Sequence, residues 1–160
     1  MPDKLLPGLA HLQNLHPLVV HFPIALLLAA AALYLVAALL SNQALTSAAW
    51  WMLILGALGA IASAATGLYA QDGVMVAPSV RDALLNHHMH LMVAVTVLAA
   101  VLAAWAMAAR PMPRRARWLF LVGLIVTCLL MVRGADYGGR MVYDYNAGGD
   151  ACGQPIDFSK

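Results

Sequence analysis

The chain has 160 residues, of which 63% are hydrophobic and 10% charged, with a mean hydropathy of +0.80 and no glutamate. A soluble domain carries about 25% charged residues, so this composition excludes a water-soluble globular protein and implies an integral membrane protein. A formal net charge of +2, with the basic residues gathered mainly in one segment, argues against a nucleic-acid partner and makes those residues topological signals.

Residues 1–15 carry Lys4 as their one basic residue and no apolar core of their own, so no removed signal peptide is expected. The run His16-Pro17-Leu18-Val19-Val20-His21-Phe22-Pro23 then leads into the first of four apolar segments, at about residues 18–40, 48–70, 88–109 and 118–137, with a tail over 144–160. Four short-looped spans predict a single all-α domain, a polytopic four-helix transmembrane bundle running up-down-up-down. No period of 20–50 residues repeats. Pro17 and Pro23 place the start of the regular first helix near Pro23, with His21 close to its N-terminal end.

The second span aligns small residues at a spacing of four, Gly56-Ala60-Ala64 and Gly59-Ser63-Gly67. Such lines let helix backbones approach closely, would also clear room for a flat macrocycle, and are compatible with a homodimer. The segment between the third and fourth spans holds Arg110, Arg114, Arg115 and Arg117 with no acid, which by the positive-inside rule is cytoplasmic. Both termini and the 71–87 loop are then periplasmic. Trp50, Trp51, Trp105 and Trp118 fall at the arginine side, and Tyr69, Tyr137, Tyr143 and Tyr145 at the other, as interfacial belts should.

All six histidines thus gather at one membrane surface: His11, His16 and His21 around the start of the first span, His87, His88 and His90 at the start of the third. An imidazole is costly in lipid and well suited to ligate metal or haem iron, so the group is a candidate site. On a helix His87 and His90 lie about 60° apart and share a face, whereas His88 points roughly 160° away from His90. A b-type haem needs axial ligands from facing helices, an apolar slot and cationic partners for its propionates. The histidines, the small-residue second span, and Arg133 with Arg140 answer that list; Asp136, three residues after Arg133, is the alternative partner for that arginine. Met75, Met89, Met92 and Met141 among the histidines make copper, or zinc on the histidines alone, a competing reading. Cys128 and Cys152 lie in different environments, which argues against a disulfide, and no CxxCH for covalent haem is present.

The opening His16–Leu26 run, Ala65-Thr66-Gly67-Leu68, the His87–His90 cluster and Gly138-Gly139-Arg140-Met141-Val142-Tyr143 resemble a family of small four-span bacterial membrane proteins of unassigned function. The resemblance covers about residues 14–148. Some members of that family look like fusions to, or neighbours of, c-type cytochrome domains, which implies redox work on the outer side of the inner membrane. This sequence has three clustered histidines where one is typical, and His90, followed by Leu91-Met92-Val93-Ala94, fits that one best; the tail Gly148–Lys160 lies outside the likeness. The expectation is a membrane cytochrome b with His21 and His90 as axial ligands of haem b, and His16 and His87 serving a second haem or supporting the first. It would pass electrons between quinone and a periplasmic c-type cytochrome, with Tyr69, Asp72, Asp136 and Tyr137 as polar groups at the depth of a quinone. A copper or zinc protein using His16, His21, His87, His88 and His90, or a non-redox assembly subunit, stands as the alternative.

Overall fold

A computed structural model describes residues 15–74 and 76–147. His11, Met75, Cys152 and the tail from Gly148 onward lie outside the described residues. Four long helices, α1 (Leu15–Leu40), α2 (Gln43–Ala70), α3 (Pro78–Ala109) and α4 (Arg117–Tyr145), are each long and apolar enough to cross a membrane. Because the connections are short, sequence neighbours run antiparallel. α1 packs against α2, α2 against α3, α3 against α4, and α4 closes the ring on α1, leaving α1 and α3 as a diagonal pair.

The helix ends differ from the sequence expectation in three places. α1 is already regular at Leu15 and runs through Pro23, whose buried ring packs against Gly59. α3 begins ten residues earlier than expected, with Pro78 in its first turn, and passes through a widened π-turn at Arg81–Leu85 before becoming regular at Asn86. α4 continues past Tyr137 for two more turns, through Gly138, Gly139 and Arg140, and ends where Asn146 takes a left-handed conformation. The pairs Arg133–Asp136 and Arg140–Asp144, three and four residues apart, lace that extension along its outer face.

Within the bundle each helix buries a line spaced alternately by three and four residues, the seam of left-handed four-helix packing. On α1 it is Pro23, Leu27, Ala30, Tyr34 and Ala37; on α2, Ala49, Leu53, Gly56, Ala60 and Ser63. On α3 it is Val95, Ala99, Leu102 and Ala106; on α4, Phe120, Leu124, Thr127, Met131 and Gly134. The buried positions of α1 recur in α3 at one constant offset, and those of α2 recur in α4 at another, so Leu27 corresponds to Ala99, Leu53 to Leu124 and Ser63 to Gly134. The bundle is therefore two equivalent helical hairpins, alike in packing pattern and unlike in side chains.

The small residues of α2 are used inside the chain: a side-chain carbon at Gly56 would meet Leu27, at Gly59 the ring of Pro23, and at Gly67 the imidazole of His16. Close helix packing is what they serve, and α1 fills the space that a homodimer argument from these lines requires. At the other end Tyr34 donates to the Pro111 carbonyl at 2.8 Å and Trp50 to that of Ala106 at 3.2 Å, fixing the arginine loop to the core. Gly56→Val should overpack the α1–α2 seam and cost about 1–3 kcal/mol, lowering the melting temperature of the detergent-solubilised protein. Ala104→Val, on an outward face of α3, should leave it within error.

Candidate functional site

The starts of α1 and α3 and the ends of α2 and α4 meet at one end of the bundle. There the seams of α1 and α3, extended backwards at the same spacing, arrive at His16 and His88, and those of α2 and α4, extended forwards, arrive at Gly67 and Gly138. The two imidazoles face each other with ring centroids 6.5 Å apart and planes at 86°. Each lies on a glycine: a side-chain carbon at Gly67 would come within 2.8 Å of the His16 ring, and one at Gly138 within 3.0 Å of the His88 ring.

Hydrogen bonds fix the tautomers. His16 Nδ1 is 3.0 Å from the Ser63 carbonyl oxygen and 3.2 Å from Thr66 Oγ1; His88 Nδ1 is 2.7 Å from the Gly134 carbonyl oxygen. A carbonyl only accepts, so both Nδ1 atoms carry the hydrogen, and in the neutral ring Nε2 is then the atom with the lone pair. In each hairpin the accepting carbonyl lies four residues before the glycine under the ring. A Cβ tilts towards the helix N-terminus, so glycine at that position both admits the imidazole and uncovers the carbonyl that holds it. The hydroxyl of Ser63 is buried with no hydrogen-bond partner among the described residues, leaving one polar atom of this layer unsatisfied.

The other expected residues lie outside the layer. His21 and His90 are exposed on the outer surfaces of α1 and α3 and make no side-chain hydrogen bond or ring contact among the described residues. The expected His21–His90 pairing is thus not the one the fold assembles. His87 is also exposed, bonded through Nδ1 to the Asp82 carbonyl at 3.3 Å and stacked on Tyr137 at 5.6 Å. Arg133 lies over the Tyr137 ring and pairs with Asp136 at 3.1 Å; Arg140 pairs with Asp144 at 3.4 Å. Both arginines are about half exposed on α4, so neither points an unpaired charge into the bundle. Among the described residues no three of His, Cys, Asp and Glu converge as a metal-binding group, so the spread ligand set of five histidines does not form.

The choice of His88 over His90 was available from the alternation of three and four: Ala106, Leu102, Ala99, Val95 and Met92 lead back to 88, as Tyr34, Ala30, Leu27, Pro23 and Val20 lead back to 16. Comparison with families gives a match over residues 12–151 to one described as a predicted membrane protein, DUF2231. The chain belongs to this family. No curated protein and no solved structure matches it.

In selectively 15N-labelled protein, His16 and His88 should each show a protonated Nδ1 and a bare Nε2, the tautomer imposed by the two carbonyls. Gly138→Val should remove that signature from His88 while leaving His16 in place.

Proposed function

We propose that this protein is a b-type haem protein of the bacterial inner membrane, with His16 and His88 as the two axial ligands. The observation that carries this reading is the diagonal pair of imidazoles, each anchored through Nδ1 to a main-chain carbonyl with its Nε2 free. The ring centroids are 6.5 Å apart, close enough for one metal to lie between the two imidazoles. With the glycines giving the two imidazoles their place, the unpartnered Ser63 hydroxyl is the polar atom that a group seated in this layer would use, and the residues fit haem on that ground.

Bound haem supplies a one-electron couple. The chain's own part is orientation and exclusion: the Ser63 and Gly134 carbonyls hold the imidazoles in register and raise their basicity as ligands, and the apolar seam two turns deeper, from Pro23 and Val95 onwards, keeps water out. With the arginine loop on the cytoplasmic side, the layer lies near the periplasmic surface. That position suits exchange between a membrane quinol and a periplasmic acceptor such as a c-type cytochrome. Copper(I) is the second reading, favoured by Met92, which sits one turn from His88 with its methyl against Gly134 and offers a thioether beside two opposed imidazoles.

A reduced-minus-oxidised spectrum of protein made with haem supplied should show a sharp α-band and near-stoichiometric haem. His16→Ala and His88→Ala should each abolish it, whereas His21→Ala and His90→Ala should retain it. A colourless protein overturns the haem reading. Metal analysis of that sample then separates copper, lost with Met92→Leu, from an assembly subunit with no cofactor.

A further inference from the structure

The opposite end of the bundle carries a second constellation, independent of the histidine layer. Arg110, Arg114 and Arg117 line a cavity of about 200 Å³ between the α1–α2 turn and the loop that joins α3 to α4. Its other wall is made by Ser41, Asn42 and Thr46. One water takes about 30 Å³ of liquid volume, so the space admits a small polar group rather than a single solvent molecule.

The charge here is unbalanced. Among the described residues every carboxylate (Asp72, Asp82, Asp136, Asp144) lies at the histidine end, where Arg133 and Arg140 find ion pairs. Arg110 and Arg114 make no side-chain hydrogen bond, ion pair or ring contact among the described residues, and Arg117 rests on the ring of Trp118. Two helix N-termini and two C-termini reach this end together, so their dipoles largely cancel, and the arginines set the field. The cavity is also preformed. Tyr34 and Trp50 tie the loop and the end of α3 to the core, and Asn42 caps α2 through its side chain at 2.9 and 3.1 Å. Unpaired arginines around a polar cleft whose loop is tied to the core, beside exposed Trp51 and Trp118 at headgroup depth, match a phosphate oxyanion in charge and donor type.

We infer that this cleft is a phosphate-binding site, which takes the headgroup phosphate of an anionic phospholipid or free inorganic phosphate. The shared chemistry is a phosphate oxyanion held by Arg110 and Arg114, with Arg117, Ser41 and Thr46 as further donors. A zwitterionic headgroup is disfavoured, because among the described residues no carboxylate stands near to receive its cation.

The test uses the full-length protein exchanged into a non-ionic detergent and titrated with short-chain phosphatidylglycerol, phosphatidylcholine and inorganic phosphate, read by native mass spectrometry. Phosphatidylglycerol should bind at least fivefold tighter than phosphatidylcholine. Arg110→Gln and Arg114→Gln should each weaken it about fivefold, the scale of one arginine at an anionic surface. Arg115→Gln removes the same charge from the same loop but lies outside the cavity, and should change binding less than twofold. Should Arg110→Gln, at a backbone φ of 34°, disturb the loop by circular dichroism, Arg114→Gln alone decides. Displacement of phosphatidylglycerol by millimolar phosphate names the free anion as a ligand; retention names the lipid. Equal binding of the two lipids, or an Arg115→Gln loss as large as that of Arg114→Gln, overturns the site.

Discussion

A histidine turned into the middle of a membrane bundle needs both room and a hydrogen-bond acceptor, and a regular helix offers neither: its carbonyls are engaged in the ladder and screened by the side chains of the following turn. The Ser63–Gly67 and Gly134–Gly138 pairs meet both needs at once. Glycine inside a helix costs about 1 kcal/mol relative to alanine, so each cradle is a local sacrifice of helix stability, offset by the bond of about 0.5–1.5 kcal/mol that it permits and by satisfying an otherwise buried donor. From this requirement follows the placement of the rest. α1 and α3 stand as the diagonal pair whose rings meet, α2 and α4 each bring a glycine to the same level near their ends, and α4 must extend past Tyr137 to deliver Gly138.

Much of the fold was legible because membrane constraints are blunt: a span needs about 20 apolar residues, and short loops force antiparallel neighbours. The arginine segment and the histidines also separate to opposite ends as read from the sequence. What escaped was azimuth. A span that is apolar on every side gives no hydrophobic period from which to read its inward face, so His21 and His90 stand out from the sequence ahead of His16 and His88. The information lay in size rather than polarity, in the alternation of Ala, Gly, Leu and Met at spacings of three and four. The end of α4 escaped for a related reason: Gly138-Gly139 followed by Arg140 reads as a helix terminus, but the Arg140–Asp144 pair and the imidazole on Gly138 keep that turn helical.

The equivalence of the two hairpins could not be seen in residue identities, since Ala49 stands where the second hairpin has Phe120 and Tyr34 where it has Ala106. These exchanges compensate across the core. Tyr34 and Phe120 pack edge to face at 5.1 Å, a large residue from each hairpin filling the volume that its small counterpart vacates. The halves are therefore tied to each other and neither packs alone.

That complementarity bears on the histidine layer, where the two halves share histidine and glycine at matching positions. Ser63 and Thr66 on one side stand against Gly134 and Tyr137 on the other, so His16 has a hydroxyl beside its carbonyl partner and His88 has a carbonyl alone, at the shorter distance of 2.7 Å. Two near-equivalent imidazoles at matching positions thus have unequal supports. The difference resides in the carbonyl and hydroxyl partners, and the tightly packed large-for-small exchanges deeper in the core hold it in place by denying either helix the freedom to rotate.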